Sequence, residues 1–235
     1  MKNKLYITGM LNAMLQGVYE GDDTVHSLLA NRSCGIGTFD RVDGELIADQ
    51  GQCYQVKADG KLRLADSSTK VPWAMAADFT PEKTFTLKNL GSLSKIDEAL
   101  APHLTSENYF HIIRIIGSFN SIKYRSECPQ KKPYRPMYET LPSLQREFTV
   151  DKVEKAVLIA FYTPDYFSFI SGQGFHYHFY DENTKTGGHI LKASLHEARV
   201  ELAHCLEVTI RFIDSSDFKN ANIGEDLREQ LKKLE

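Results

Sequence analysis

The sequence has no Cys-x-x-Cys pair. Its four cysteines, Cys34, Cys53, Cys128 and Cys205, are scattered, which argues against a zinc knuckle and offers no disulfide framework. Reduced, buried thiols in a cytoplasmic protein are the expectation. There is no basic excess either. The chain carries 28 Lys+Arg against 31 Asp+Glu, a net charge of −3, so nothing calls for a nucleic-acid surface. Long apolar runs are missing: Ala156-Val157-Leu158-Ile159-Ala160-Phe161 is far too short to span a bilayer. Lys2 and Lys4 precede an apolar segment, but that segment holds Thr8, Gly9 and Asn12, and no small-x-small cleavage pattern follows; no signal peptide is expected. Internal repeats, low-complexity tracts and long charge runs are absent too. What is present is an ordinary globular composition, 42% hydrophobic and 25% charged over 235 residues. That length suits one large domain or two small ones, with a substantial core.

The local pattern predicts an α+β protein, mostly antiparallel sheet, in two lobes. Short helices are expected around Met10 to Gly17 and, after the cap candidates Asp22-Asp23, up to Ala30. Asp43-Gly44, between Gly35–Phe39 and Glu45–Ile47, signals a two-residue hairpin. Asp59-Gly60 separates a second strand pair. Further strands are expected at Val71 to Phe79, Lys83 to Leu87, Phe110 to Ile116 and Ser121 to Arg125, with a helix over Leu93 to Leu100. Cys128 to Pro136 reads as a proline-rich loop. Beyond it, strands are expected at Ala156 to Tyr162, Phe167 to Ser171, Phe175 to Tyr180, His189 to Ala193, Arg199 to His204 and Glu207 to Phe212. The tail from Glu225 to Leu234 has leucines at helical spacing. The expected lobes are residues 1–148 and 149–235.

The least ordinary stretch is Gly174-Phe175-His176-Tyr177-His178-Phe179, followed by Gly187-Gly188-His189. Side chains alternate along a strand, so His176 and His178 share a face. If the polar segment Asp181 to Gly188 turns the chain back, His189 meets them across the ladder. Opposed residues lie about 4.5–5.5 Å apart, close enough for three imidazoles to share one ion at about 2.0–2.1 Å. Three histidines with open positions suit a catalytic metal, and imidazole ligands suit zinc, copper, iron or nickel alike. The bland reading is an ordinary hairpin with surface or packed histidines. His26, His103, His111, His196 and His204 are spread out and read as structural or surface residues.

Gly37-Thr38-Phe39-Asp40-Arg41-Val42-Asp43-Gly44-Glu45 resembles the Gly-Thr…Leu-Asp-Gly-Glu signature of the acetolactate decarboxylases. The histidine stretch resembles that family's histidine block. Arg125-Ser126, with Gln130 and Pro133-Tyr134, resembles its arginine segment, and Thr163-Pro164 also fits. The resemblance runs from about Leu11 to the C-terminus. It implies two α/β lobes in a homodimer that converts the small molecule (S)-2-acetolactate to (R)-acetoin, with Zn2+ on His176, His178 and His189. It further implies active-site roles for Glu45, Thr38, Arg125 and a carboxylate near the C-terminus, for which Glu235 is the best match and Glu229 the alternative. The chain departs from the pattern at Val42, Phe175 and Tyr177. The family's Val-Pro-x-Gln after the arginine is Glu127-Cys128-Pro129-Gln130 here, so Arg135 stands as the second arginine candidate. Read without the resemblance, Glu45 is a charged residue after a turn, Thr38 a β-branched strand residue and Arg125 a surface strand arginine.

Acetolactate is a β-keto acid with a hydroxyl on the carbon that bears the carboxylate. A metal on the ketone oxygen stabilises the electrons left by departing CO2. Arginine suits the carboxylate, and Glu45, Glu235 or water could supply the final proton. Two rivals remain at this level. His176-x-His178 with Glu182 looks like the start of a cupin dioxygenase or isomerase site using iron or manganese, although Glu182 falls in a polar turn and no second histidine block follows. A non-enzymatic metal-binding module would keep the sheet and lose the chemistry.

Overall fold

The structure, a computed structural model, describes residues 3–232. Glu235, the expected C-terminal carboxylate, lies outside the described residues. The chain opens with strand β1 (Leu5–Thr8) and helix α1 (Leu11–Leu15), then β2 (Asp23–Thr24) and α2 (Val25–Leu28). The cap of α2 is Thr24 rather than Asp22 or Asp23. Its hydroxyl accepts from the Ser27 amide while the Ser27 hydroxyl accepts from the Thr24 amide, a reciprocal capping box. Strands β3 (Cys34–Thr38), β4 (Glu45–Asp49), β5 (Gln52–Val56), β6 (Leu62–Leu64), β7 (Lys70–Val71), β8 (Trp73–Ala77) and β9 (Lys83–Leu90) follow, then α3 (Leu93–Leu100). Next come β10 (Phe110–Glu127), α4 (Met137–Leu144), β11 (Gln145–Thr163) and α5 (Ser168–Ser171). The chain continues through β12 (Gly174–Asp181), β13 (Thr186–Cys205), β14 (Val208–Arg211), α6 (Ser216–Asn220) and α7 (Arg228–Lys232). Among the described residues, no helix is long and apolar enough to cross a membrane.

The fold is α+β, built on two main sheets. The first has the order β14-β1-β8-β3-β4-β5-β6. It is antiparallel except where β1 runs parallel to β14, so it is mixed. The second holds β10, β11, β12, β13 and β9. Here β10 pairs with both β11 and β13, and β12 bridges those two, so four strands close into a ring. Closure leaves fewer open strand edges.

The main core lies between the sheets. Ile36, Ile47, Val56 and Met75 of the first meet Ile112, Val157, Ile159 and Phe161 of the second. On β11 the alternate residues Leu158 and Ala160 point the other way, into a second core that includes Ile96 and Leu100 of α3. A strand buried on both faces reads as a continuous apolar run, which is why Ala156 to Phe161 lacks polar interruptions.

Several expectations require correction. The boundary at residues 148 and 149 falls inside β11. Sheet membership divides the chain elsewhere: strands between 83 and 205 build the second sheet, while those of 5–77 and the returning β14 build the first, apart from the separate β2–β7 pair. Arg125 thus shares a sheet with the histidines because β10 is zipped along β11 and β13. Asp43-Gly44 is not a two-residue hairpin. Thr38 pairs with Glu45, and a 3-10 turn at Asp40–Val42 lengthens the connection. Phe167 to Ser171 is not a strand but the end of a 3-10 turn followed by α5. A short apolar run cannot by itself distinguish helix from strand. The strand pairs expected at 110–116 and 121–125, and at 189–193 and 199–204, are two continuous strands, interrupted only by register shifts.

Candidate metal centre and active site

On β12, Tyr177 and Phe179 insert into the α3-side core. Strand alternation then turns His176 and His178 towards the first sheet. The hairpin to β13 sets His189 directly opposite His178, and on the other edge of β13 the same His189 is opposite Arg125 of β10. One row, His178–His189–Arg125, therefore crosses three strands. The first sheet supplies a second row: Trp73 opposite Thr38, and Thr38 opposite Glu45. Both rows, with His176 and Glu127, line a single cavity of about 60 Å³. Leu11 and Met14 of α1, Met137 and Leu141 of α4, and Leu231 of α7 form its apolar wall.

Glycines make this close approach feasible. At Gly188, φ is +146° and a Cβ would sit 2.4 Å from the Arg125 carbonyl oxygen. At Gly44, φ is +83° and a Cβ would sit 2.1 Å from the Val56 carbonyl oxygen. Side chains other than hydrogen are excluded at both, one beneath the arginine and one beside Glu45.

The three imidazoles converge. His176 Nε2 is 3.2 Å from His178 Nε2 and 3.0 Å from His189 Nδ1. A tetrahedral ion about 2.0–2.1 Å from each of three ligands would space them about 3.3 Å apart; these two spacings are close to that, and all three donor atoms lie within 4.8 Å of one another, so the group could hold a metal ion. His178 Nδ1 donates to the Leu46 carbonyl at 2.9 Å, which leaves its Nε2 lone pair towards the other rings. Burial keeps all three neutral. It pushes His178 down to about 3, and His176 and His189 well below the usual histidine range, with the Arg125 charge adding to each. Neutral imidazole is the form that binds metals. His176 also stacks on Trp73, with ring centroids 5.7 Å apart.

Glu45 Oε2 lies 3.3 Å from His178 Nε2. Burial, then the neighbouring Glu127 carboxylate, raises Glu45 well above the usual carboxyl range. Arg125 pulls the other way for both carboxyls. Arg125 Nε lies 3.3 Å from Glu127 Oε1, with both side chains buried. Thr38 donates its hydroxyl to the Gly44 carbonyl at 2.7 Å. That bond pins the turn which delivers Glu45.

The other candidates lie elsewhere. Arg135 is exposed and pairs with Glu139, and Glu229 is exposed on α7. Glu182, the carboxylate a cupin site would need, accepts from Tyr54 and lines a different cavity with Asp49 and Arg114. The sequence reading missed Glu127 and Trp73. Glu127 had a signal: it stands two residues beyond Arg125, at the same strand spacing that paired His176 with His178.

The family model for alpha-acetolactate decarboxylase matches residues 5–225. The alpha-acetolactate decarboxylase of Methanosarcina mazei is 34% identical over 98% of this chain and 80% of its own length. That of Klebsiella aerogenes is 35% identical over 93% of this chain and 84% of its own. The crystal structure of alpha-acetolactate decarboxylase from Bacillus subtilis superposes with a TM-score of 0.94 at 30% identity, covering 99% of each chain. The chain belongs to the alpha-acetolactate decarboxylase family, a family of carboxy-lyases.

Proposed function

We propose that this protein decarboxylates (S)-2-acetolactate to (R)-acetoin and CO2, with a zinc ion held by His176, His178 and His189. The observation that carries the reading is the convergence of three neutral imidazole nitrogens on a cavity that also holds an arginine and a buried carboxyl. A bound divalent ion supplies a Lewis acid for the ketone and hydroxyl oxygens of the substrate.

The remaining chemistry falls to the chain's own groups. Arg125 binds the carboxylate through charge-assisted hydrogen bonds and orients the carbon–carbon bond that breaks. The electron pair from that bond moves onto the ketone, leaving an enediolate. A proton must then reach one face of the former carboxyl-bearing carbon. Glu45, with Oε2 3.3 Å from His178 Nε2, is one candidate to carry it; Glu235 or a water is an alternative source. Thr38 acts through the Gly44 turn, holding Glu45 in place. The apolar wall from α1, α4 and α7 excludes water from the enediolate. The proposal includes a cytoplasmic homodimer.

The test is incubation with racemic acetolactate, with and without a chelator, following CO2 release and acetoin chirality. Chelator-sensitive formation of (R)-acetoin is expected. If no acetoin forms with metal present, the reading is wrong.

A further inference from the structure

We infer that Glu127 is a positioning residue of this active site, holding the Arg125 guanidinium in fixed register with the cavity. The inference deepens the proposed decarboxylation and rests on it for the identity of the substrate.

Glu127 is the last residue of β10 and is 3% exposed. Glutamate is rarely buried so deeply unless paired. Its partner here is a residue of the cavity. Oε1 lies 3.3 Å from Arg125 Nε, and Glu45 lines the same cavity. Arg125 comes from the second sheet and Glu45 from the first, so Glu127 sits at the junction between a carboxylate-binding group and a candidate proton carrier.

The backbone around Glu127 is anchored to the same junction. Ser126 donates its hydroxyl to the Val56 carbonyl of β5 at 2.6 Å. The Gln130 amide donates to the Arg41 carbonyl at 2.7 Å, on the turn that leads to Glu45. An arginine paired with a carboxylate on so anchored a segment loses little further freedom when substrate arrives. Alignment of Arg125 with the substrate carboxylate is then set before binding, and preorganisation of that kind shows in affinity.

The consequence can be separated from a purely structural role. Glu127→Gln keeps an acceptor for Arg125. Glu127→Met keeps the length and apolar stem but removes that polar contact. The metal-loaded protein and both variants are compared in steady-state kinetics with acetolactate. They are also compared by calorimetric titration with 2-hydroxyisobutyrate, which has the tertiary hydroxyl and carboxylate but no ketone and so cannot lose CO2 by this route.

Glu127→Met is expected to raise KM and weaken 2-hydroxyisobutyrate binding by about tenfold, with metal content and Tm close to wild type. Glu127→Gln should stay within about threefold of wild type in both. Unchanged binding and KM in Glu127→Met would overturn the inference. So would equal impairment of the two variants with a matching loss of Tm, since that marks a fold contact only. If wild type binds 2-hydroxyisobutyrate but makes no acetoin, the decarboxylase reading fails while the positioning role stands. If wild type binds no 2-hydroxyisobutyrate, the positioning role fails.

Discussion

The Nδ1–H of His178, on β12, meets the carbonyl oxygen of Leu46, on β4, at 2.9 Å. The bond runs from the second sheet to the first. It sets the tautomer of a candidate metal ligand and also contributes to the packing of the two sheets. Replacing His178 should therefore affect both. His178→Ala is expected to weaken metal binding at least tenfold and to lower Tm even in metal-free protein. His176→Ala should weaken metal binding comparably with a smaller effect on metal-free Tm, because no hydrogen bond from its Nδ1 is found among the described residues. Metal analysis after dialysis and thermal melts with and without chelator separate the two effects.

Glu45 Oε2 lies 3.3 Å from His178 Nε2, and Glu127 lines the same cavity, so the role proposed for Glu45 divides between metal site and proton transfer. Glu45→Gln keeps the shape but cannot release a proton. Metal content is expected to stay near wild type while kcat falls by about 10²–10⁴, the range for removing a general acid or base. Parallel loss of metal and turnover would instead make Glu45 chiefly a ligand. Metal stoichiometry measured beside kcat decides between them.

How much of this was legible in the sequence depends on how local each signal is. The shared face of His176 and His178 follows from Tyr177 and Phe179, which have to go inward. His189 is one hairpin away, and its register with His178 needs only a short turn. The Trp73–Thr38–Glu45 row could not be read, because it depends on β8 pairing with β3 across a gap of some 35 residues and no local pattern encodes that pairing. Arg41 and Val42 adopt positive φ, 66° and 57°, in residue types that give no warning of it; a two-residue turn was therefore expected at Asp43-Gly44. Glu127 is different. Its spacing from Arg125 was readable, but the prolines that follow made the segment look like a loop.

His111 gives a pH dependence remote from the metal site. It is fully buried, accepts the Thr105 amide at Nε2 (3.0 Å) and lies 2.9 Å from the Tyr109 carbonyl through Nδ1. Burial pushes it down to about 4, only partly opposed by the Tyr109 carbonyl. An unfolded histidine titrates near about 6.5. Between these values the unfolded chain holds the proton and the folded chain does not, so this group's contribution to stability is full above about pH 6.5 and declines as pH falls towards 4. Below 4 its contribution is flat. Urea unfolding of wild type and His111→Gln at pH 7 and pH 5 should show a gap that narrows at the lower pH. A gap that widens on acidification would contradict the assignment.

Asp49 and Arg114 form another polar link between the sheets. Arg114 Nε and Nη2 each donate to one carboxylate oxygen of Asp49 at 2.8 Å, and the Tyr180 hydroxyl donates to the same Asp49 at 2.7 Å. Both side chains are largely buried, so screening by solvent is weak. Asp49→Ala leaves Arg114 with Glu201, 3.3 Å away, and leaves the Tyr180 hydroxyl without its acceptor. Removing one partner of a buried pair costs roughly 3–5 kcal/mol. For a chain of this size each kcal/mol is worth about 2–4 °C in Tm. A fall of about 6–20 °C is expected. The double variant Asp49→Leu, Arg114→Met should recover much of it, because well-packed apolar groups often match a buried ion pair. Neither side chain lines the histidine cavity, so kcat/KM per folded molecule should stay near wild type in both variants. If activity falls much further than stability, the two sheets are coupled through this pair to the geometry of the metal site as well as to the fold.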